Sequence, residues 1–378
     1  MTTEQHYDAI VIGLGGMGSA ALYQLAQRGK RVLGIEQFDI AHEMGSSHGV
    51  TRIIRLAYHE HPSYVPLMRR AYELWRELEA SAGEQLLHIT GSIDAGPPDG
   101  SNFNGSLLSC EQHDLPHDVL TSSELTERFP GYRLPPETMA VFQGEGGFLL
   151  PERCISLFVD KARALGATVH TGERTRDCQP TSNGVTVRTE TGTYEAETLV
   201  ISAGAWASKL LPGLSPVAVP ERQVLAWFET LRPELFTPEV FPVFNLVVDE
   251  GQFYGFPEFG VTGFKLGKYH HLEENVDPDT IDREPNSGDE AVLRDFTEKY
   301  FRDAAGATSS MKVCMFTNSP DEHFIIDRLP DCPQVIVAAG FSGHGFKFSS
   351  IVGEVLADLA VDGTTRHDIG MFKLARFD

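Results

Sequence analysis

The chain has 378 residues, 41% hydrophobic and 22% charged, the proportions of a globular protein long enough for two or three domains around a large core. Its formal net charge of -22 comes with no basic block, which sets aside nucleic acid and anionic membranes as partners. No apolar run approaches the roughly 20 residues of a bilayer span, no secretory leader is visible, and five cysteines without a C-x-x-C pair argue against a disulfide framework or zinc site and fit a reducing cytoplasm.

Residues 7–36 organise the reading. The apolar run Ala9, Ile10, Val11, Ile12 predicts a buried parallel strand, and Gly13-x-Gly15-x-x-Gly18 opens a helix that Gly29 ends. A second apolar run, 32–35, then delivers Glu36. Gly13 permits the tight turn, Gly15 lets backbone approach a pyrophosphate, and Gly18 lets helix and strand pack closely. The helix N-terminus supplies oriented N–H groups to the anion. A carboxylate at Glu36 accepts from ribose hydroxyls and repels a 2′-phosphate, so FAD or NAD is favoured over NADP.

Segment 45–55, GSSHGVTRIIR, does not read as a further βα unit. Its arginines, Arg52 and Arg55, bracket Ile53 and Ile54, so they emerge from a partly buried element with a cofactor or anionic substrate as natural counter-charge. A core helix is expected over 62–80, a strand over 89–95, a loop excursion at 97–100, a capped helical turn from Thr121, and a helix over 154–165 preceded by Pro151. A peripheral hairpin is expected over 184–196 and a separate buried strand at 199–206. From 217 to about 267 the chain turns β-rich and aromatic, with Tyr254, Lys265 and His270 as the few polar groups. An acidic stretch, 273–290, reads as a solvated loop, and a helix over 291–301 follows. Late in the chain, strand 335–340, the loop FSGHGFK and a helix over 348–360 repeat the opening geometry. With the pyrophosphate already assigned, that helix start is free to stabilise another anion, such as a reduced flavin ring.

The motifs GLGGMG, SSHGVTRIIR, YGFP, GFKLGKYH, KVCMFTNSPDEHFIID and AAGFSGHGFKFSS span nearly the whole chain. In them the sequence resembles the flavin amine oxidase family that includes monomeric sarcosine oxidase and N-methyl-tryptophan oxidase. The resemblance implies an α/β (α+β) fold: a Rossmann-like FAD-binding domain from 1–80, 146–215 and 310–378, and a mainly antiparallel β-sheet substrate domain from 81–145 and 216–309. It implies FAD held covalently by Cys314, with Gly13, Gly15, Gly18, Glu36, Thr51, Arg52, Gly343, Gly345 and Lys347 around the cofactor. Lys265 resembles the dioxygen-activating residue, and Arg52, His48, Tyr254 and His270 join it as catalytic candidates. Arg55 and Lys347 resemble a carboxylate clamp, with Tyr254, Asn245 and His344 on the substrate side. Ser47, Val50 and Phe316 depart from the family pattern, where His, Asp and Tyr are expected.

The reaction so implied is oxidative demethylation of an N-methyl amino acid by dioxygen in a cytoplasmic monomer, giving amino acid, formaldehyde and hydrogen peroxide. A proline-like or N-methyl-tryptophan-like substrate is the alternative within the class. An NAD-linked dehydrogenase or a non-catalytic flavin-binding protein are the alternatives outside it. The first leaves Cys314 and Lys347 unexplained, and the second has no use for Lys265, Arg55 and Lys347 together.

Overall fold

A computed structural model describes residues 6–182 and 184–377. The opening strand His6–Ile12 lies between Val32–Ile35 and Thr193–Ile201, parallel to both. Thr168–His170 extends this sheet beyond Val32–Ile35, and Cys332–Ala339 pairs in parallel with Thr193–Ile201. Strands buried on both faces need near-continuous apolar runs, and Ala9 to Ile12 and Leu199 to Ile201 supply them. Helix Gly16–Gln27 packs against Pro151–Ala164 and Ser349–Asp362. The second of these contacts is backbone-close, since a Cβ on Gly353 would lie 2.6 Å from Ala20.

The hairpin and the buried strand expected separately over 184–206 are one element. Strand Thr193–Ile201 pairs antiparallel with Gly184–Thr189 at its exposed start and parallel with the opening strand along its length. A period-2 pattern at one end and an all-apolar run at the other record two environments of a single strand.

A second sheet runs Thr308–Asn318, Val219–Phe228, Phe264–Lys268, Gly251–Phe256, Val243–Val248, Ser92–Gly96, Met139–Gln143, Asp118–Thr121. Every pairing is antiparallel except that of Val243–Val248 with Ser92–Gly96. Its back face buries Phe244, Phe253, Phe264 and Phe301 with Phe296 of helix Ser287–Tyr300. A small third sheet joins Arg52–Ile54 and Leu87–Ile89 to Gly147–Leu149.

Three expectations change here. The division at residue 310 cuts strand Thr308–Asn318, which pairs throughout with Val219–Phe228 and so belongs to the second sheet. The strand expected over 89–95 is split by Gly91 at φ 79° into pieces in different sheets. Acidic residues in 273–290 are not all solvated: Asp289 is fully buried, paired bidentately with Arg222 at 2.8 and 2.9 Å and 3.0 Å from His271. Helix Ser101–Gln112, which follows the loop at 97–100, has no apolar stripe strong enough to show in the sequence.

Candidate active site

Between the first sheet and the start of helix Gly16–Gln27 lies a cavity of 370 Å³, within the usual range for a cofactor site. Gly13 turns at φ 84°, and a Cβ there would stand 2.7 Å from the Ser202 carbonyl oxygen. A Cβ on Gly18 would fall 1.8 Å from the Gly13 oxygen. Gly15 differs: a Cβ there meets only Ser47 Oγ at 4.0 Å, so its bare backbone opens toward the cavity rather than toward protein. Glu36 lines the same cavity, its carboxylate steadied by the Leu14 N–H at 2.8 Å and the Phe38 N–H at 3.0 Å. A turn stripped of side chains, a helix N-terminus and a fixed carboxylate fit the pyrophosphate and ribose of a dinucleotide.

The front face of the second sheet gathers the expected chemistry because strands alternate with period 2. Register places Asn245 opposite Tyr254, Tyr254 opposite Gly267, Phe256 opposite Lys265, and Gln223 opposite Cys314. Lys265 is 2% exposed. Its Nζ donates to Gly49 O at 2.6 Å, Thr51 O at 2.7 Å and Thr51 Oγ1 at 2.9 Å, and lies 4.1 Å from the Phe256 ring centroid. No carboxylate pairs with it among the described residues. Burial, reinforced by Arg52, pushes its pKa well below the ordinary lysine value.

Arg52 donates to Ser46 O at 2.9 Å and Thr51 O at 3.0 Å, and its Nη2 sits 3.6 Å from Cys314 Sγ. Burial pushes the Cys314 thiol up while Arg52 pulls it down. His48 is buried beside these groups with neither ring nitrogen hydrogen-bonded among the described residues; burial and then Arg52 keep it neutral.

A second cavity of 30 Å³ adjoins the first, and Arg52, Phe316, Gly343 and Phe346 line both. Tyr254, Tyr269, His344 and Lys347 complete its polar lining. Lys347 Nζ donates to His344 O at 2.7 Å; burial, then Arg55, brings its pKa down to about 7. The His344 Nδ1 accepts from Tyr58 OH at 2.5 Å and its Nε2 donates to Glu322 O at 2.9 Å, so the ring is a neutral tautomer, its pKa lowered by burial to about 4. The Tyr254 and Tyr269 hydroxyls have no hydrogen bond among the described residues, leaving both free for a ligand.

Three expected site residues stand elsewhere. Arg55 is buried and does not line the cavity; it lies 2.9 Å from both Glu60 oxygens and 3.6 Å from Asp94 Oδ1. Asn245 shares the front face but donates to Asp94 Oδ1 at 3.2 Å and does not line the cavity. His270 points away, between Glu221 at 2.8 Å and Glu322 at 3.1 Å, which raise its pKa to about 10. Tyr269 takes the place in the lining. The signal was present, since alternation from Lys265 through Gly267 puts Tyr269, not His270, on the front face.

The family model described as FAD dependent oxidoreductase matches residues 8–359. The chain belongs to that family. Among curated relatives, the monomeric sarcosine oxidase of Bacillus sp. (strain NS-129) is 45% identical over 377 residues, covering 98% of this chain and 97% of that one. The N-methyl-L-tryptophan oxidase of Yersinia pestis (strain Pestoides F) is 37% identical, covering 98% and 99%. Among solved structures, NikD, an unusual amino acid oxidase essential for nikkomycin biosynthesis, superposes with a TM-score of 0.85 at 24% identity, covering 98% of this chain and 97% of that chain. Family membership makes FAD the cofactor of this chain, and the lining of the larger cavity has the groups to hold its dinucleotide. The described residues contain no helix long and apolar enough to cross a membrane and no group of side chains that could hold a metal ion.

Proposed function

We propose that this chain is an FAD-dependent oxidase that demethylates a small N-methyl amino acid, sarcosine or a close relative, acting as a monomer with dioxygen as acceptor. One observation carries the reading. The small cavity with its lysine adjoins the larger cavity, and Arg52, Phe316, Gly343 and Phe346 line both. The small cavity's volume, 30 Å³, favours the smallest N-methyl amino acids over one that carries an indole. When bound, FAD would supply the two-electron oxidation of the N-methyl carbon and the return of those electrons to dioxygen as hydrogen peroxide, with water hydrolysing the resulting imine to amino acid and formaldehyde.

The protein's residues bind, orient and hold charge. Lys347 retains two ammonium hydrogens beyond the one on His344 O and meets the substrate carboxylate. Arg55 completes the clamp only by exchanging Glu60 for that carboxylate, which leaves the charge around the guanidinium unchanged. The free hydroxyls of Tyr254 and Tyr269 accept or donate at the amine end. Lys265, without a carboxylate partner, stands as a fixed positive charge for the oxygen anion that forms on reduction of dioxygen. Cys314, next to Arg52, is the proposed covalent anchor of FAD. A screen of N-methylated amino acids for peroxide release tests the reading: turnover is expected to be fastest with sarcosine and weakest with N-methyl-tryptophan. Peroxide from none of them refutes it.

A further inference from the structure

Glu152 opens helix Pro151–Ala164, directly after strand Gly147–Leu149, which pairs with Arg52–Ile54. One of its oxygens, Oε1, accepts from the Gly49 N–H at 2.6 Å and the Val50 N–H at 3.0 Å. Successive backbone N–H groups converging on one anion form a nest. Gly49 has φ 97° and Val50 φ 72°, and a β-branched residue at positive φ is an outlier that persists only where its surroundings hold it. A side chain at Gly49 would be strained at its positive φ and would have to displace the Leu225 side chain, 2.6 Å from the added Cβ. The opposite side of this turn presents the Gly49 and Thr51 carbonyls and the Thr51 hydroxyl that together take all three hydrogens of Lys265. The helix start is thus linked to the buried ammonium through three residues of backbone, Gly49 to Thr51, with Val50 held at positive φ.

We propose that Glu152 is a positioning residue: its carboxylate locks the Gly49–Val50 turn and so fixes the place and the charge of the Lys265 ammonium. The proposal rests on the reading of Lys265 as the dioxygen-side cation. Glu152 acts on Lys265 in two ways, through the turn and through its field. The groups facing Lys265 are Arg52 and His48 from segment 45–55, Cys314 from the neighbouring strand and Glu152; burial and Arg52 disfavour the ammonium, and Glu152 favours it. In this set Glu152 is the carboxylate that favours the ammonium, with Cys314 acting in the same direction, against burial and Arg52.

The test compares wild-type holoenzyme with E152Q, E152A and K265M in separate half-reactions. Glutamine keeps an oxygen for both N–H groups but removes the charge, so E152Q is expected to fold and load flavin. Its reoxidation by dioxygen should slow about tenfold, and the pH above which reoxidation fails should fall by about one unit, while anaerobic reduction stays within about twofold. E152A, which also frees the turn, should lose more. Thermal unfolding supplies a readout independent of turnover: E152Q should destabilise the wild-type background more than the K265M background. If E152Q reoxidises at the wild-type rate with an unchanged pH profile while K265M is slow, the Glu152 assignment is overturned and that of Lys265 stands. Wild-type reoxidation in K265M removes both. Equal loss in the two half-reactions with additive melting makes Glu152 an ordinary structural residue, which also overturns the proposal.

Discussion

Replacing Lys347 with methionine isolates the carboxylate contact. Lys347 is buried, lines the small cavity and spends one ammonium hydrogen on His344 O. A charge-assisted contact from the remaining hydrogens contributes roughly 1.5 to 3 kcal/mol, equivalent to about ten- to a hundredfold in binding. The contact also carries a pH signature. Because burial lowers the Lys347 pKa to about 7, the free enzyme holds the cation below that pH and loses it above. The ratio of KM in Lys347→Met to KM in wild type should therefore be largest near pH 6 and fall toward unity above pH 8. Taking the ratio cancels the ionisation of the substrate amine, which is common to both enzymes. Peroxide-coupled initial rates across pH measure it, with a secondary amine of similar size lacking a carboxylate as control. A ratio independent of pH, or an equal loss with the carboxylate-free amine, refutes the reasoning.

Acid-precipitated wild-type protein should keep its yellow colour and Cys314→Ala should release it, as absorbance of the supernatant will show. Gly18→Ala should abolish flavin loading, read as loss of visible absorbance in soluble protein, because its Cβ would fall 1.8 Å from the Gly13 oxygen. Arg222→Leu strands the buried Asp289 carboxylate beside His271 and should lower unfolding stability in denaturant titration by about 3–5 kcal/mol.

Local signals carried the nucleotide unit. Strand, glycines, helix and Glu36 each obey a rule within about 30 residues, and the fold places them together as read. Single-sequence patterns carry no pairing information, which is why strand Thr308–Asn318 was grouped with the segment after it rather than with Val219–Phe228. The same limit hid Glu152: its partners at 49 and 50 lie about 100 positions away, and its position in a first helical turn has an ordinary capping explanation. Arg55 shows a further limit. Its sequence setting implied a buried cation needing an anion, but not whether the anion was a ligand or, as found, Glu60 and Asp94. Tyr269 was within reach, since strand alternation alone selects it over His270.

The central claim is that this chain joins an N-methyl amino acid to FAD across the small cavity. It is tested most directly by adding sarcosine to the purified protein without oxygen while recording the visible spectrum. The flavin bands should bleach, then return on admission of air with one equivalent each of hydrogen peroxide and formaldehyde. Flavin bands that no N-methyl amino acid bleaches, or oxidation seen only with added NAD, would contradict it.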